Sequence, residues 1–517
     1  MVRWCGGATT CLVLTVTVAL ASGSAAPQQP VRGLTAAPQL ARVYDAIFDA
    51  RFDEVPQLLR QACGPAPKEA CAVLDTVALW WRIQLDPLNT TRDGAFQARV
   101  ESAIAAAEAW TVREPQRAEA WFYLGGAYGA RAQWRVLRHE LLSAARDGKR
   151  IKDSLERALA LDPTLQDAYF GIGLYHYYAD VAPTAAKVLR WLLFLPGGDR
   201  VQGLDEMLRA REKGQLARSE ADYQLHVLYL WYEQQTGRAL ELLGDLRARH
   251  PRNPHFAQAA AEIQDVYQHD LTASLRSWQA LLEAARTRRV AEPAMAEAAA
   301  RLGAALQLDR LFETDAAIEH LRAVIAARPS SPFGAMAQAH LQLAQALDRL
   351  GHRAEAAAEY RAALAATPAG DPLNIGPRAR AGVRGGTPEA EATAYRLSLE
   401  GWRALERGST DESGRALAQS LALRPGDPVT RYRHAQLLLA RKDEAAALMT
   451  LEGIVSARAS APPTIYANAC LDAARLHEQR GSRTRAIELY GAVRTVFGAD
   501  ERTKDAARRA LTRLAAS

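Results

Sequence analysis

The sequence predicts an all-α superhelical solenoid of antiparallel helical hairpins, in two blocks, on three observations. At 517 residues the chain exceeds the size at which one compact core keeps growing, so an elongated array or several domains are expected. Alanine and leucine dominate, and Val, Ile and Thr are too scattered to supply period-two strands, so helices account for nearly all ordered structure. Finally, aromatic, alanine and proline positions recur with a period near 34, the length of one helical hairpin.

The first 25 residues read as a secretory signal: Arg3, an apolar run from Cys11 to Ala21, then the small residues Ala21 to Ala26. Cleavage fits best after Ala25, where Gly23 and Ala25 satisfy the small-x-small rule, with Ala21 as the other option. The run is too short to span a bilayer, and no later stretch offers about 20 unbroken apolar residues, so no transmembrane segment is expected after signal removal. The product is expected in the periplasm or secreted. Residues 26–38, with Pro27, Pro30 and Pro38, read as a flexible leader, and 39–368 as the N-terminal helical block.

Cleavage leaves Cys63, Cys71 and Cys470 in an oxidising compartment. Cys63 and Cys71 bracket the turn Gly64-Pro65-Ala66-Pro67, and a bridge between them would contribute roughly 2.5 kcal/mol by loop entropy. The alternative is two small buried side chains that never meet. Tyr44, Ile47 and Phe48, followed by Phe52, Leu58 and Leu59, indicate an N-terminal hairpin. A further helix from Leu74 to Leu85 carries Trp80 and Trp81.

From about residue 100 the hairpins become explicit. Trp121-x2-Leu124-Gly125-x2-Tyr128 matches the opening half of a 34-residue repeat in every position. Its closing half, Leu155, Ala158 and Pro163, comes after about 14 extra residues, so the first helix runs on through Trp134 and Leu137. Gly125 is read as a point of close approach between two helix backbones. Tyr169, Ile172 and Gly173 open the next hairpin; Tyr223, Ala239, Leu243 and Pro251 repeat the spacing. Leu343, Ala344, Gly351, Ala356, Tyr360, Ala363 and Pro368 form the most complete copy, and Gly481, Ala486 and Tyr490 another. Weaker copies lie at Ala273 to Trp278, at Ala317, Leu321 and Pro329, from Gly408 to Pro425 and from Ala435 to Leu451. These residues resemble the tetratricopeptide-repeat superfamily, bacterial exported type, with HEAT or armadillo hairpins the alternative for the degenerate stretches. The resemblance implies a scaffold that binds a protein or peptide segment in a concave groove.

Residues 369–392 hold five glycines and three prolines and read as a linker between two superhelical blocks. The second block, 393–517, closes with an amphipathic capping helix from Arg502 to Leu514.

Charge excludes one class of partner. Sixty-four basic against 58 acidic residues give +6, only seven of the basic residues are lysine, and no block of five like charges occurs, so nucleic acid is not expected. Metal, cofactor and catalytic signatures are missing too. His139-Glu140 lacks the second histidine of a zinc-protease helix, and His176, His226 and His269-Asp270 are read as helical residues without ligand spacing. Pro196-Gly197-Gly198-Asp199-Arg200 lacks the lysine and glycine spacing of a phosphate loop and reads as a helix end followed by an Asp199 cap. Arg82, Asp86, Asn89 and Asp93 read as a turn around Pro87. Val188 to Leu195 is nearly all apolar and reads as core, with a sticky surface as the alternative. An enzyme with its pocket in the 134–149 insertion or the linker finds no acid–base pair at credible spacing.

The candidate site comes from register. Seventeen of the 36 aromatic residues fall between Trp110 and Tyr232. In the resembled family, positions two, five, nine, twelve and thirteen of each first helix line the groove. With Tyr169 and Tyr223 at position four, positions twelve and thirteen are Tyr177 and Tyr178 in one repeat and Trp231 and Tyr232 in the next. Aromatic pairs suit a protein or peptide partner, and also a small hydrophobic or glycan ligand. Core burial of the same rings is the competing reading. The residues at positions five and nine (Phe122, Gly126, Phe170, Leu174, Gln224, Leu228, Leu341, Gln345) are not the basic and amide set that grips a terminal carboxylate, so that use of the family does not carry over.

Overall fold

The computed structural model of the protein describes residues 32–181 and 197–516. The signal segment, the leader before residue 32 and the stretch Val188 to Leu195 lie outside the described residues.

Every regular element described is helical. The first helices are α1 (Ala37–Phe48), α2 (Val55–Ala62), α3 (Lys68–Gln84), α4 (Asp93–Arg113), α5 (Ala118–Leu137) and α6 (Leu141–Leu161). Next come α7 (Ala168–Val181), α8 (Arg200–Lys213), α9 (Arg218–Trp231), α10 (Thr236–Arg249), α11 (Pro254–Val266) and α12 (Leu271–Arg286). The middle of the chain supplies α13 (Pro293–Arg310), α14 (Thr314–Ala327), α15 (Ala335–Arg349), α16 (Arg353–Ala366), α17 (Ile375–Arg384) and α18 (Glu389–Glu406). The last helices are α19 (Thr410–Leu423), α20 (Pro428–Ala440), α21 (Glu444–Ser456), α22 (Pro463–Gln479), α23 (Arg483–Arg494) and α24 (Glu501–Ala516). Sequential helices pair as hairpins, α3 with α4, α5 with α6 and so on to α15 with α16; past α17 the pairs are α18 with α19, α20 with α21 and α22 with α23, where α24 covers the end.

The repeat residues do what their positions require. In second helices Leu155, Ala158, Ala239, Leu243, Ala356, Tyr360, Ala486 and Tyr490 are all buried, so each α–α hairpin closes over a small residue and a large one. The extra residues lengthen α5 through Trp134 and Leu137 as expected, and α6 matches it. Asp199 caps α8, its carboxylate accepting from the amides of Val201 and Gln202.

Gly125 behaves differently from its reading. A Cβ there would meet the side chain of Leu155 at 2.7 Å, not a backbone. True backbone contact occurs one hairpin later, where a Cβ on Gly173 would lie 2.6 Å from the Gly203 carbonyl and one on Gly203 as close to that of Gly173. The glycines let α7 and α8 touch along their main chains.

Two boundaries also differ. Within the stretch read as a linker, α17 packs on α15 and α16, burying Ile375 and Ala379 in a core that reaches Leu399 of α18. Gly382 serves that contact, since a Cβ there would strike the Tyr360 ring at 2.2 Å. The two blocks are therefore joined by packed core and not by a free tether. Likewise residues 33–36, in the stretch read as a flexible leader, are held: the Gly33 amide donates to Asp162 at 2.7 Å, and the Thr35 amide and hydroxyl donate to Glu119 at 2.7 and 2.9 Å.

The superhelix closes on itself. The side-chain amide of Asn253 donates to the Phe48 carbonyl, 205 residues away, at 2.7 Å, and Arg82 pairs with Glu292 at 3.1 Å, 210 residues away. The Phe333 amide donates to Asp86 at 2.9 Å, 247 residues away, and Glu501 to Asp270 at 3.2 Å, 231 residues away. The polar cluster around Pro87 is thus a turn that the next superhelical turn rests on. These bonds join residues 205 to 247 positions apart.

Cys63 and Cys71 form a disulfide, with Cα atoms 6.1 Å apart, joining the end of α2 to the start of α3. Cys470 is buried and free.

Candidate functional site

First helices α3, α5, α7, α9 and α11 all contribute to one buried core. Trp81 of α3 lies 4.8 Å from Tyr223 of α9 and 6.1 Å from Phe256 of α11, ring centre to ring centre. Beside them α1 packs on α2 and α3, and its Leu40, Val43, Ile47 and Phe48 are fully buried in one core with Tyr123, Tyr177, Leu225 and Phe256. Phe48 sits 4.3 Å from Trp81. Of the groove positions by register, Leu228 belongs to this core and Phe122, Phe170 and Leu174 pack against it.

Of the four aromatics singled out, Tyr177 is buried, and its hydroxyl donates to Glu233 at 2.6 Å. Arg200 also holds Glu233, through Nε at 2.7 Å, and this pairing keeps the carboxyl below the usual glutamate range. The other three reach solvent: Tyr178 is 37%, Tyr232 40% and Trp231 61% exposed. Tyr178 and Tyr232 meet edge to face at 5.7 Å, each 5.9 Å or less from the Tyr177 ring, so Tyr177 is the floor under an exposed pair. Burial against these neighbours raises the phenol pKa of Tyr178 and of Tyr232, so both stay neutral donors at physiological pH.

Register reasoning missed the third member of the row. Val266 and Tyr267, at the end of α11, are 60% and 40% exposed. Adding one repeat of about 34 residues to Tyr232 reaches Val266, so the signal was present. Tyr267 and Trp231, with Leu230, Gln234 and Thr236, line an open pocket of about 450 Å³ that has no charged wall. Exposed aromatics thus line up along the C-terminal ends of α7, α9 and α11.

The N-terminal side of the same helices is closed. Arg117 and Glu119 before and within α5, Asp162 before α7, and Arg252 and Asn253 before α11 all bond to residues 33–49. Asp167 holds the start of α9 as well, accepting from the amides of Gln215, Leu216 and Ala217 at 2.9, 2.7 and 2.8 Å.

The buried core is rich in histidine. Burial depresses His226 to about 3 and His255 to about 4, and burial with repulsion from Arg249 and Arg51 takes His250 to about 4. All three are neutral at pH 7. Their folded values lie below the unfolded value near 6.5, so the stability they carry is complete above pH 6.5 and lost as pH falls through about 4. Glu220, Glu262 and Asp45, whose carboxyls burial pushes up, act in the opposite sense, each from the lower carboxylate range. The melting temperature should hold between pH 8 and 7 and fall steadily from pH 6.5 to 4, and His255→Gln should flatten that slope. A profile unchanged by the substitution would mean that this imidazole does not drive it.

His176 pairs with Glu206 at 2.7 Å, and His269 lies in the turn before α12, not in a helix, where Asp270 caps the helix. Among the described residues no group of three or more His, Cys, Asp or Glu could hold a metal, and no helix is long and apolar enough to cross a membrane.

Paired antiparallel hairpins stacked one on the next define a helical-repeat solenoid of tetratricopeptide-like hairpins. No model of a known protein family matches the chain, and no curated protein matches it in sequence. Among solved structures, it is similar to a tetratricopeptide repeat protein from Parabacteroides merdae, at 17% identity over 56% of this chain and 97% of that one, with a TM-score of 0.25. A TPR protein from Thermus thermophilus is 23% identical over 43% and 99% of the two chains, with a TM-score of 0.22. A Rap protein in complex with Competence and Sporulation Factor is 13% identical over 91% and 99%, with a TM-score of 0.33. At such scores the course of one superhelix says nothing of another, and the class rests on this chain's own helices.

Proposed function

We propose that the protein is a non-catalytic scaffold of the cell envelope or secreted space that binds a protein or peptide segment across the C-terminal ends of α7, α9 and α11. The observation that carries this reading is the row of exposed aromatics, Tyr178, Trp231, Tyr232 and Tyr267, on a rigid floor made by Tyr177 and its bond to Glu233. Aromatic rings bury large area at small rotamer cost, which is why they concentrate binding energy. Export is supported by the signal-like first 25 residues and by the Cys63–Cys71 bridge, a bond that persists in oxidising compartments.

Crosslinking with mass spectrometry in the native envelope identifies the partner and the face together. Against that partner, the triple variant Tyr178→Ala, Trp231→Ala, Tyr232→Ala should lose at least about tenfold in affinity with an unchanged far-ultraviolet spectrum. Tyr177→Phe, which alters only the floor, should bind normally; if it weakens binding as much as the triple variant, the row is not the contact surface. A second reading, a small hydrophobic or glycan ligand, is favoured by the uncharged pocket of Trp231, Tyr267, Gln234 and Thr236. A glycan-array signal without any crosslinked protein would select it.

A further inference from the structure

The N-terminal segment crosses the starts of α5, α7 and α11 in the way a bound peptide would. Its leading residues give backbone and hydroxyl donors to carboxylates of the solenoid, and the helix that follows lays an aliphatic stripe of Leu40, Val43 and Ile47 into the interior. Both receiving carboxylates keep partners of their own. Glu119 is also held by Arg117 at 2.8 Å, and Asp162 by the amide and hydroxyl of Thr164 at 3.0 and 2.6 Å. Neither charge is stranded if the segment leaves.

The fit is also incomplete. Tyr123 is 2% exposed, and its hydroxyl has no hydrogen-bond partner among the described residues although Tyr44 of α1 and Glu119 lie beside it. An occupant offering an acceptor at that point gains what α1 forgoes. At the other end α1 turns into α2 through Ala50, at φ 55°, and the exposed residues Asp53 and Glu54.

We propose that residues 32–53 are a built-in, exchangeable ligand of these helix starts, a strap that a partner segment of the same chemistry displaces. That chemistry is a short stretch of amide and hydroxyl donors leading into an amphipathic helix with one aliphatic stripe. The proposal rests on reading the helix starts as a binding surface, but its test needs no outside partner, so it fails or stands apart from the aromatic row.

A protease recognition sequence inserted between Asp53 and Glu54 of the full chain allows folding first and cutting afterwards. After cleavage, a fluorescein-labelled peptide of residues 32–53 should replace the resident segment at one per chain, read by fluorescence anisotropy and size exclusion, with helicity retained. The uncut chain should take up none. A peptide carrying Thr35→Ala should bind about tenfold more weakly or worse, for loss of a hydroxyl bonded to a carboxylate. Collapse of helicity on cleavage, or a folded cut chain that never exchanges its segment, would show α1 to be permanent core and overturn the proposal. Equal uptake by the uncut chain would overturn it too, by placing the peptide elsewhere.

Discussion

Trp81→Ala should lower the unfolding free energy of the N-terminal half by roughly 3–5 kcal/mol, the usual cost of emptying a large aromatic site in a core. Trp81 is fully buried where α1, α3, α9 and α11 meet, with Phe48 at 4.3 Å and Tyr223 at 4.8 Å. No single hairpin can collapse into the space it leaves, because the four helices come from separate parts of the chain. The loss is also polar. The indole N–H donates to Glu220 at 3.3 Å, leaving that buried carboxyl to the side-chain amides of Gln133, at 3.4 Å, and Gln224. Trp81→Phe, which keeps most of the volume but drops the donor, should cost less, about 1–3 kcal/mol. A solenoid does not unfold as one unit, so the informative readout is regional hydrogen exchange. Protection should fall in α1, α3, α9 and α11 while α19 to α24 keep theirs. Uniform loss along the chain, or none, would mean that the interior contacts do not act as one core.

The hairpins were legible because their determinants are local. Leu124, Gly125 and Tyr128, or Ala356, Tyr360 and Ala363, lie within a turn or two of each other and bury one stripe, so their spacing carries the fold. The location of α1 was not legible, since Asn253 and Phe48 are 205 residues apart and no periodicity records such a meeting. Register found the right helix ends but not which ring points inward. Neighbouring helical residues diverge by about 100°, so Tyr177 became floor and Tyr178 surface. In the glycine-rich stretch the error was to count Gly376 and Gly382 as breakers. Gly382 is there because Tyr360 leaves no room for a side chain, and Ile375 and Ala379 alone were too few to show a helical stripe.

The lengthened hairpin poses the opposite problem, a projection with little apolar cover, and its answer is charge. Val136, Leu141 and Leu142 at its tip are 53%, 63% and 45% exposed, and apolar packing ends below them at Trp134, which stacks on Phe96 at 5.9 Å. Asp147 of α6, with a fully buried side chain, instead accepts from Arg131 of α5 through two bonds of 2.8 and 3.0 Å and from Arg135 at 2.5 Å, with Arg150 at 3.4 Å. Arg131 in turn reaches Glu101 of α4 at 2.7 Å, tying three helices together. Removing the central anion leaves Arg131 and Arg135 facing each other with their shared counter-charge gone. Asp147→Ala should therefore cost about 3–5 kcal/mol, seen as early loss of exchange protection in α5 and α6. Pairing it with a second change separates charge from packing. If uncompensated cation burial is the cause, Asp147→Leu combined with Arg131→Met should recover most of the loss, because an apolar replacement of a buried pair is often neutral. If the double variant is as unstable as the single one, the network matters for its geometry and not for its charge balance. Added salt should change either result little, since ions do not reach a carboxylate enclosed by three helices.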